Sequence, residues 1–148
     1  AAGVLLMSRE NAIKRNLEPI ATIIDYISIS GDPRNSTTLP GEAIIKILDK
    51  NGISISEINL IEINEAYAAM PAVSTKIISE RYNVDWDKLA EITNVNGGAI
   101  SIGHPVGASG ARITMTLAYE LKRRGGGIGV ASICGGIGQA DALLIKTN

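Results

Sequence analysis

Apolar positions recur along the chain in two periods, and the switches between them mark its elements. Gly3 to Ser8 is a short apolar run that predicts a strand, and Glu10 to Asn16 allows one or two helical turns. From Ile20 to Ser30 both alternate sets are largely apolar, Ile20, Ile24 and Tyr26 on one and Ala21, Ile23, Ile27 and Ile29 on the other. That pattern predicts a strand buried on both faces, central in its sheet. Gly31 to Pro40 is loop chemistry, and Pro40 starts a helix that runs to Lys50 and ends at Asn51-Gly52. Leu60 to Ile63 reads as a third strand. Val73, Ile77 and Ile78 mark a helix up to Tyr82, and Pro71 makes Asn64 to Met70 either a turn or a kinked first segment.

Ile113, Leu117 and Leu121 lie on one face of a helix that begins near Ser109 and closes on Lys122, Arg123, Arg124 and Gly125. Ile128 to Ile133 and Ala140 to Lys146 are two further strands. Their connection through Cys134 to Gln139 is too short for a crossover, so they are expected to be antiparallel neighbours. The sum is one α/β domain with five strands.

Composition narrows the class. In 148 residues, 45% are hydrophobic but only 3% aromatic, with no Phe. The core is therefore built from Ile, Leu, Val and Ala, which suits a sheet covered by helices on both faces. Fourteen basic and fifteen acidic residues give a net charge of −1 without a run of one sign, so no footprint for nucleic acid is present. No apolar stretch reaches the roughly 18 residues of a membrane span. One Cys excludes an internal disulfide and fits a reducing, cytoplasmic setting. The chain opens without Met inside an apparent strand and shows no signal peptide, so a preceding segment is expected.

The only histidine and the only cysteine each stand in a glycine-rich turn. Cys134 follows an apolar strand. It is either a small buried hydrophobe or a thiol beside the Gly135-Gly136 backbone N–H groups, which can converge on an anion. His104, between Gly103 and Pro105, either satisfies a loop carbonyl or donates Nε2–H to a developing oxyanion and exchanges a proton with a thiol. Asn64 is either an N-cap or a polar hook for a water or carbonyl at the end of a strand. The glycine stretches lack the third glycine of a dinucleotide loop and the Gly-Lys-Ser/Thr of a phosphate loop. No metal-ligand spacing occurs. A self-contained Cys–His hydrolase stays open, though without a recognisable third member.

Three motifs then agree. Asn64-Glu-Ala-Tyr-Ala68, the stretch from Asn94-Val-Asn-Gly-Gly-Ala-Ile100 to His104-Pro-Val-Gly-Ala-Ser-Gly-Ala-Arg112, and Cys134-Gly-Gly-Ile-Gly138 resemble the three C-terminal signatures of thiolases, the acetyl-CoA C-acetyltransferase family. Ala1 to Arg9 is similar to the first strand of the thiolase C-terminal domain. The resemblance implies a three-layer α/β/α fold with a mixed five-stranded sheet. Residues 1–148 would form the C-terminal half of a two-domain unit whose N-terminal domain is absent from this chain. It also implies Claisen condensation of acetyl-CoA to acetoacetyl-CoA, and the reverse thiolysis of 3-ketoacyl-CoA, through an acyl group on a cysteine of the N-terminal half. Coenzyme A enters as substrate and product, with no other cofactor and no metal.

Carried over by residue, Cys134 is the general acid/base that removes the α-proton, and His104 donates to the thioester oxyanion and helps activate the nucleophilic thiol. Asn64 fixes the water completing that oxyanion hole, and the Gly136 N–H contributes to a second hole. Ala66 and Tyr67 border the acyl and pantetheine pocket. The implied partners are acyl-CoA and the N-terminal half, as the same, a cleaved or a separate chain, in a homo- or hetero-oligomer. The small residues Gly107 to Ala111 are expected to face that half. The chain departs from the family in the loop Asn35 to Gly41, in Tyr67 where Phe is usual, and in Ile137 and Ala140 where glycines are frequent. A non-catalytic assembly or acyl-CoA-binding module is the alternative, but a structural relic would not need Asn64, His104 and Cys134 together.

Overall fold

A computed structural model describes residues 1–148. The chain runs through α1 (Arg9–Lys14), β1 (Thr22–Ser30), α2 (Leu39–Asn51), β2 (Ile58–Ile63), α3 (Ala69–Tyr82), α4 (Trp86–Glu91), α5 (Ala99–Ile102), α6 (Ser109–Arg123), β3 (Gly127–Cys134) and β4 (Gln139–Thr147). The strands form one sheet in the order β1-β4-β3-β2. β2 runs parallel to β3, while β4 is antiparallel to both β3 and β1, so the sheet is mixed.

Helices cover both faces, giving three layers. On one face α2, backed by α3 and α4, buries Ile44, Ile47 and Leu48 against Ile61, Ile63, Val130 and Leu144. On the other, α6 buries Ile113, Leu117 and Leu121 against Leu60, Ala131 and Ile145. Alternation within β3 sorts its side chains: Ala131 and Ile133 pack on the α6 side, Val130 and Cys134 on the α2 side, and the Ser132 hydroxyl donates to the Pro40 carbonyl at the start of α2 (3.0 Å). At Gly129, Leu117 and Leu121 of α6 pack directly on the sheet backbone. A Cβ there would stand 2.7 Å from Leu117 Cδ1 and 3.1 Å from the Leu60 carbonyl oxygen. No helix is long and apolar enough to cross a membrane.

Helices α2 and α6 and the β3–β4 pair lie within one or two residues of their expected bounds, and Pro71 falls in the first turn of α3, where its missing N–H breaks no bond. Three expectations are corrected. Gly3 to Ser8 is not a strand: it pairs with no other segment, and Leu5 is 81% exposed. β1 is an edge strand rather than a central one. Ile27 and Ile29 pack toward α2, but α6 packs chiefly on β2, β3 and β4, and Tyr26 is left 70% exposed. The sheet has four strands rather than five. Beyond β2 it is extended only by a single parallel bridge between Ile61 and Thr93, flanked by Ile61 N–H to Ile92 C=O and Asn94 N–H to Ile61 C=O, both 2.9 Å. The short helices α4 and α5 were not expected from the pattern.

Candidate functional site

β2 ends at Ile63, and the next residue carries its ladder one step further, since the Asn64 N–H donates to the Ser132 carbonyl of β3 (2.9 Å). Asn64 is fully buried at this carboxyl end of the parallel pair, the usual location of sites in open α/β sheets. Its side chain lies on the α6 side of the sheet, as does Glu62 two residues before it, which faces Arg112 of α6.

The Asn64 amide nitrogen is 3.4 Å from His104 Nε2, and its Oδ1 is buried without a partner. The imidazole is held at its other end, where Nδ1 is 2.7 Å from the hydroxyl of Ser109, the fully buried first residue of α6. That hydroxyl is also 3.2 Å from the Pro105 carbonyl. Both contacts are satisfied when Ser109 donates to Pro105 and accepts from an Nδ1–H imidazole. In that tautomer His104 keeps its lone pair on Nε2, facing Asn64.

Cys134 is the last residue of β3, paired with Ala140, and is half-buried. The chain reverses over the next residues: Gly135 N–H donates to Gln139 C=O and Gln139 N–H to Gly136 C=O, each 2.9 Å, with Gly136 at φ +76°. The Gly136 N–H donates to no group in the chain, so it is available to an outside acceptor. The Gly138 carbonyl accepts from the Gly31 N–H (2.9 Å), which ties the turn to the end of β1.

The residues expected to act thus gather at one end of the sheet but not in one contact. Asn64 and His104 meet directly; Cys134, two residues beyond Ser132, projects toward the α2 layer, and no hydrogen bond joins it to either. Ala66 is half-buried against the α2-side core and Tyr67 is exposed in the turn before α3. No group of three or more His, Cys, Asp or Glu side chains is arranged to hold a metal ion.

Sequence reasoning missed Ser109 as more than a helix start. It is the one hydroxyl in the run Gly107 to Ala111, and that isolation was the available signal. Glu62 was missed as well. It is buried, with Arg112 Nη1 3.9 Å away, and burial pushes its carboxyl up to about 7 against the opposing pull of that guanidinium.

A family model described as the thiolase C-terminal domain matches residues 17–147. An acetyl-CoA acetyltransferase of Syntrophomonas wolfei is 42% identical over 146 residues, covering 99% of this chain and 35% of that protein. The crystal structure of human mitochondrial 3-ketoacyl-CoA thiolase superposes with a TM-score of 0.82 at 39% identity, over 95% of this chain and 34% of that one. A thiolase from Ascaris suum solved in complex with coenzyme A gives 0.79 at 38% identity, over 95% and 34%. The chain spans about a third of the length of the curated relatives it matches.

Proposed function

Because this chain belongs to the thiolase family, we propose that it is the C-terminal half of a working acyltransferase of the acetyl-CoA C-acetyltransferase or 3-ketoacyl-CoA thiolase type. The nucleophilic cysteine is supplied by an N-terminal half, within the same chain, a cleaved one or a separate subunit. The whole acts in the cytoplasm as an oligomer on acyl-CoA substrates. Residues 1–148 make up the C-terminal domain of that unit.

The observation that carries this reading is the Asn64–His104 contact, which joins two motifs forty residues apart at the sheet end where Cys134 and Gly136 also stand. His104 Nε2 takes the proton of the nucleophilic thiol, and the thiolate attacks the acyl thioester carbonyl. The tetrahedral oxyanion accepts from the free Gly136 N–H; coenzyme A leaves as a thiolate that takes the proton of Cys134, and the acyl group remains on the nucleophilic sulfur. Cys134, as thiolate, then removes the α-proton of a second acetyl-CoA.

The resulting charge spreads onto the thioester oxygen, where the protonated Nε2 of His104 donates, with a water held by Asn64 completing the hole. The α-carbon forms its bond to the acyl carbon, the carbon–sulfur bond breaks, and the released nucleophilic thiolate takes its proton back from His104 Nε2. Thiolysis runs the same steps backward. Losing one such donor typically lowers the rate about 100- to 1,000-fold.

The test is reconstitution with the N-terminal half and assay of acetoacetyl-CoA thiolysis. Cys134→Ala should abolish turnover while acylation of the partner cysteine stays detectable by mass. Full turnover by that variant would remove Cys134 from its role.

A further inference from the structure

Asn64 is bracketed by two residues that are each tied to the loop carrying His104. On one side the Asn94 carboxamide clamps Ile63 at both ends: Oδ1 accepts from the Ile63 N–H (2.8 Å) and Nδ2 donates to the Ile63 carbonyl (2.9 Å). The Asn94 N–H also bonds the Ile61 carbonyl (2.9 Å), so Asn94 supplies with its side chain the rung that a fifth strand would have supplied with its backbone. On the other side, Glu65 Oε2 accepts from the Ile100 N–H (2.9 Å) and Oε1 from Asn94 Nδ2 (3.3 Å). Ile100 lies in α5, four residues ahead of His104.

The bonds close a circuit: Ile63 to Asn94, Asn94 to Glu65, Glu65 to Ile100, along the chain to His104, and from His104 back to Asn64. The last link is the weakest, a neutral contact at 3.4 Å to an exposed imidazole. The links through Glu65 have an acidic acceptor and are shorter at Ile100, where charge-assisted bonds gain strength. The separation of Asn64 and His104 is therefore set by the splint behind them rather than by their own contact.

We infer that Glu65 and Asn94 are positioning residues that hold Asn64 and His104 in register for the reaction. This rests on the acyl-transfer reading given above. Capping of α5 by Glu65 and extension of the sheet by Asn94 would account for the same bonds without any role in register, so the test must separate these.

Gly98 makes the separation possible. Its backbone is extended (φ −144°), which any residue adopts, but a Cβ there would lie 2.5 Å from the Glu65 carboxylate. Gly98→Ala therefore displaces that carboxylate while leaving Glu65 in the chain. In the complete enzyme, Glu65→Ala and Gly98→Ala should each lower kcat about 10- to 100-fold with KM nearly unchanged, the scale expected when reacting groups shift by a fraction of an ångström to one ångström. The double variant should be no worse than either single, because both remove the same bond. Glu65→Gln, which keeps an acceptor for the Ile100 N–H, should recover most of the loss, and Asn94→Asp, which loses the donor to Ile63, should not.

A readout independent of turnover is the ring NMR signal of His104 in histidine-labelled enzyme, identified by its loss in His104→Asn. It should move in Glu65→Ala and return in Glu65→Gln. An unmoved ring signal with wild-type kcat and only a lowered melting temperature overturns the positioning role. An unsubstituted enzyme without thiolysis overturns the acyl-transfer reading instead, and the ring signal then decides the positioning on its own.

Discussion

The hydroxyl of Ser109 and Nδ1 of His104 are 2.7 Å apart, across the five residues that lead into α6. When Ser109 donates to the Pro105 carbonyl it accepts from Nδ1–H, and the lone pair of the imidazole then lies on Nε2. Ser109→Ala removes the acceptor and lets the ring populate the tautomer with its proton on Nε2. The expected result is roughly a tenfold slower acylation of the nucleophilic cysteine, about the net worth of one hydrogen bond, with KM little changed. Rapid-quench measurement of acyl-enzyme formation checks it; an unchanged rate would leave Ser109 as a helix start only.

Glu62 ties stability to pH. Its carboxyl is raised from 4.5 to about 7 by burial, so the folded state binds this proton more tightly than the unfolded chain. Between those values the unfolded chain releases the proton first, and stability falls as pH rises through the window, by roughly 3 kcal/mol in all. Below about 4.5 the contribution is flat. The low-lying carboxyls act in the opposite sense and at lower pH: Glu120, held down by Arg123 and Arg124, and Asp25, brought to about 2 by Lys50 and Asn51, lose their stabilising effect only as pH falls. Urea midpoints at pH 5, 6 and 7 should decline in the parent and level off in Glu62→Gln.

Gly129→Ala tests the contact between α6 and the sheet. The new methyl would meet Leu117, Leu121 and the Leu60 carbonyl, and overpacking of this kind costs about 1–3 kcal/mol. Thermal melts should show the loss, and Leu117→Val in the same chain should restore part of it. A neutral Gly129→Ala would mean that α6 shifts freely on β3.

The 148-residue chain by itself carries large apolar side chains in the open, among them Leu5, Leu6 and Tyr26, with Ile102 and Val106 flanking His104. It should bind ANS and self-associate, and addition of the N-terminal half should suppress both. A monomeric chain silent toward ANS in size-exclusion and fluorescence assays would contradict this.

What the sequence reveals of this protein follows the range of the forces involved. The helix from Leu39, with its proline near the start and Gly52 in left-handed conformation at its end, and the hairpin through residues 134–139 depend on neighbours in sequence and were legible. The apolar runs at Gly3 to Ser8 and Ile20 to Ser30 recorded a preference for burial but not what would cover it, so a strand and a central position were read where the fold has neither. At the site, Asn64, His104, Cys134 and Gly136 stood out through motif and rarity. Asn94 and Glu65 act across about thirty residues on backbone groups, and no local pattern records that.

β3 sends Cys134 toward α2, whereas β2 sends Asn64 toward α6 and His104. A single sheet edge therefore stands between thiol and imidazole, and each answers to a different helical layer. Substitutions accumulating in α2 can retune the thiol without passing through the imidazole, and those in α6 the reverse.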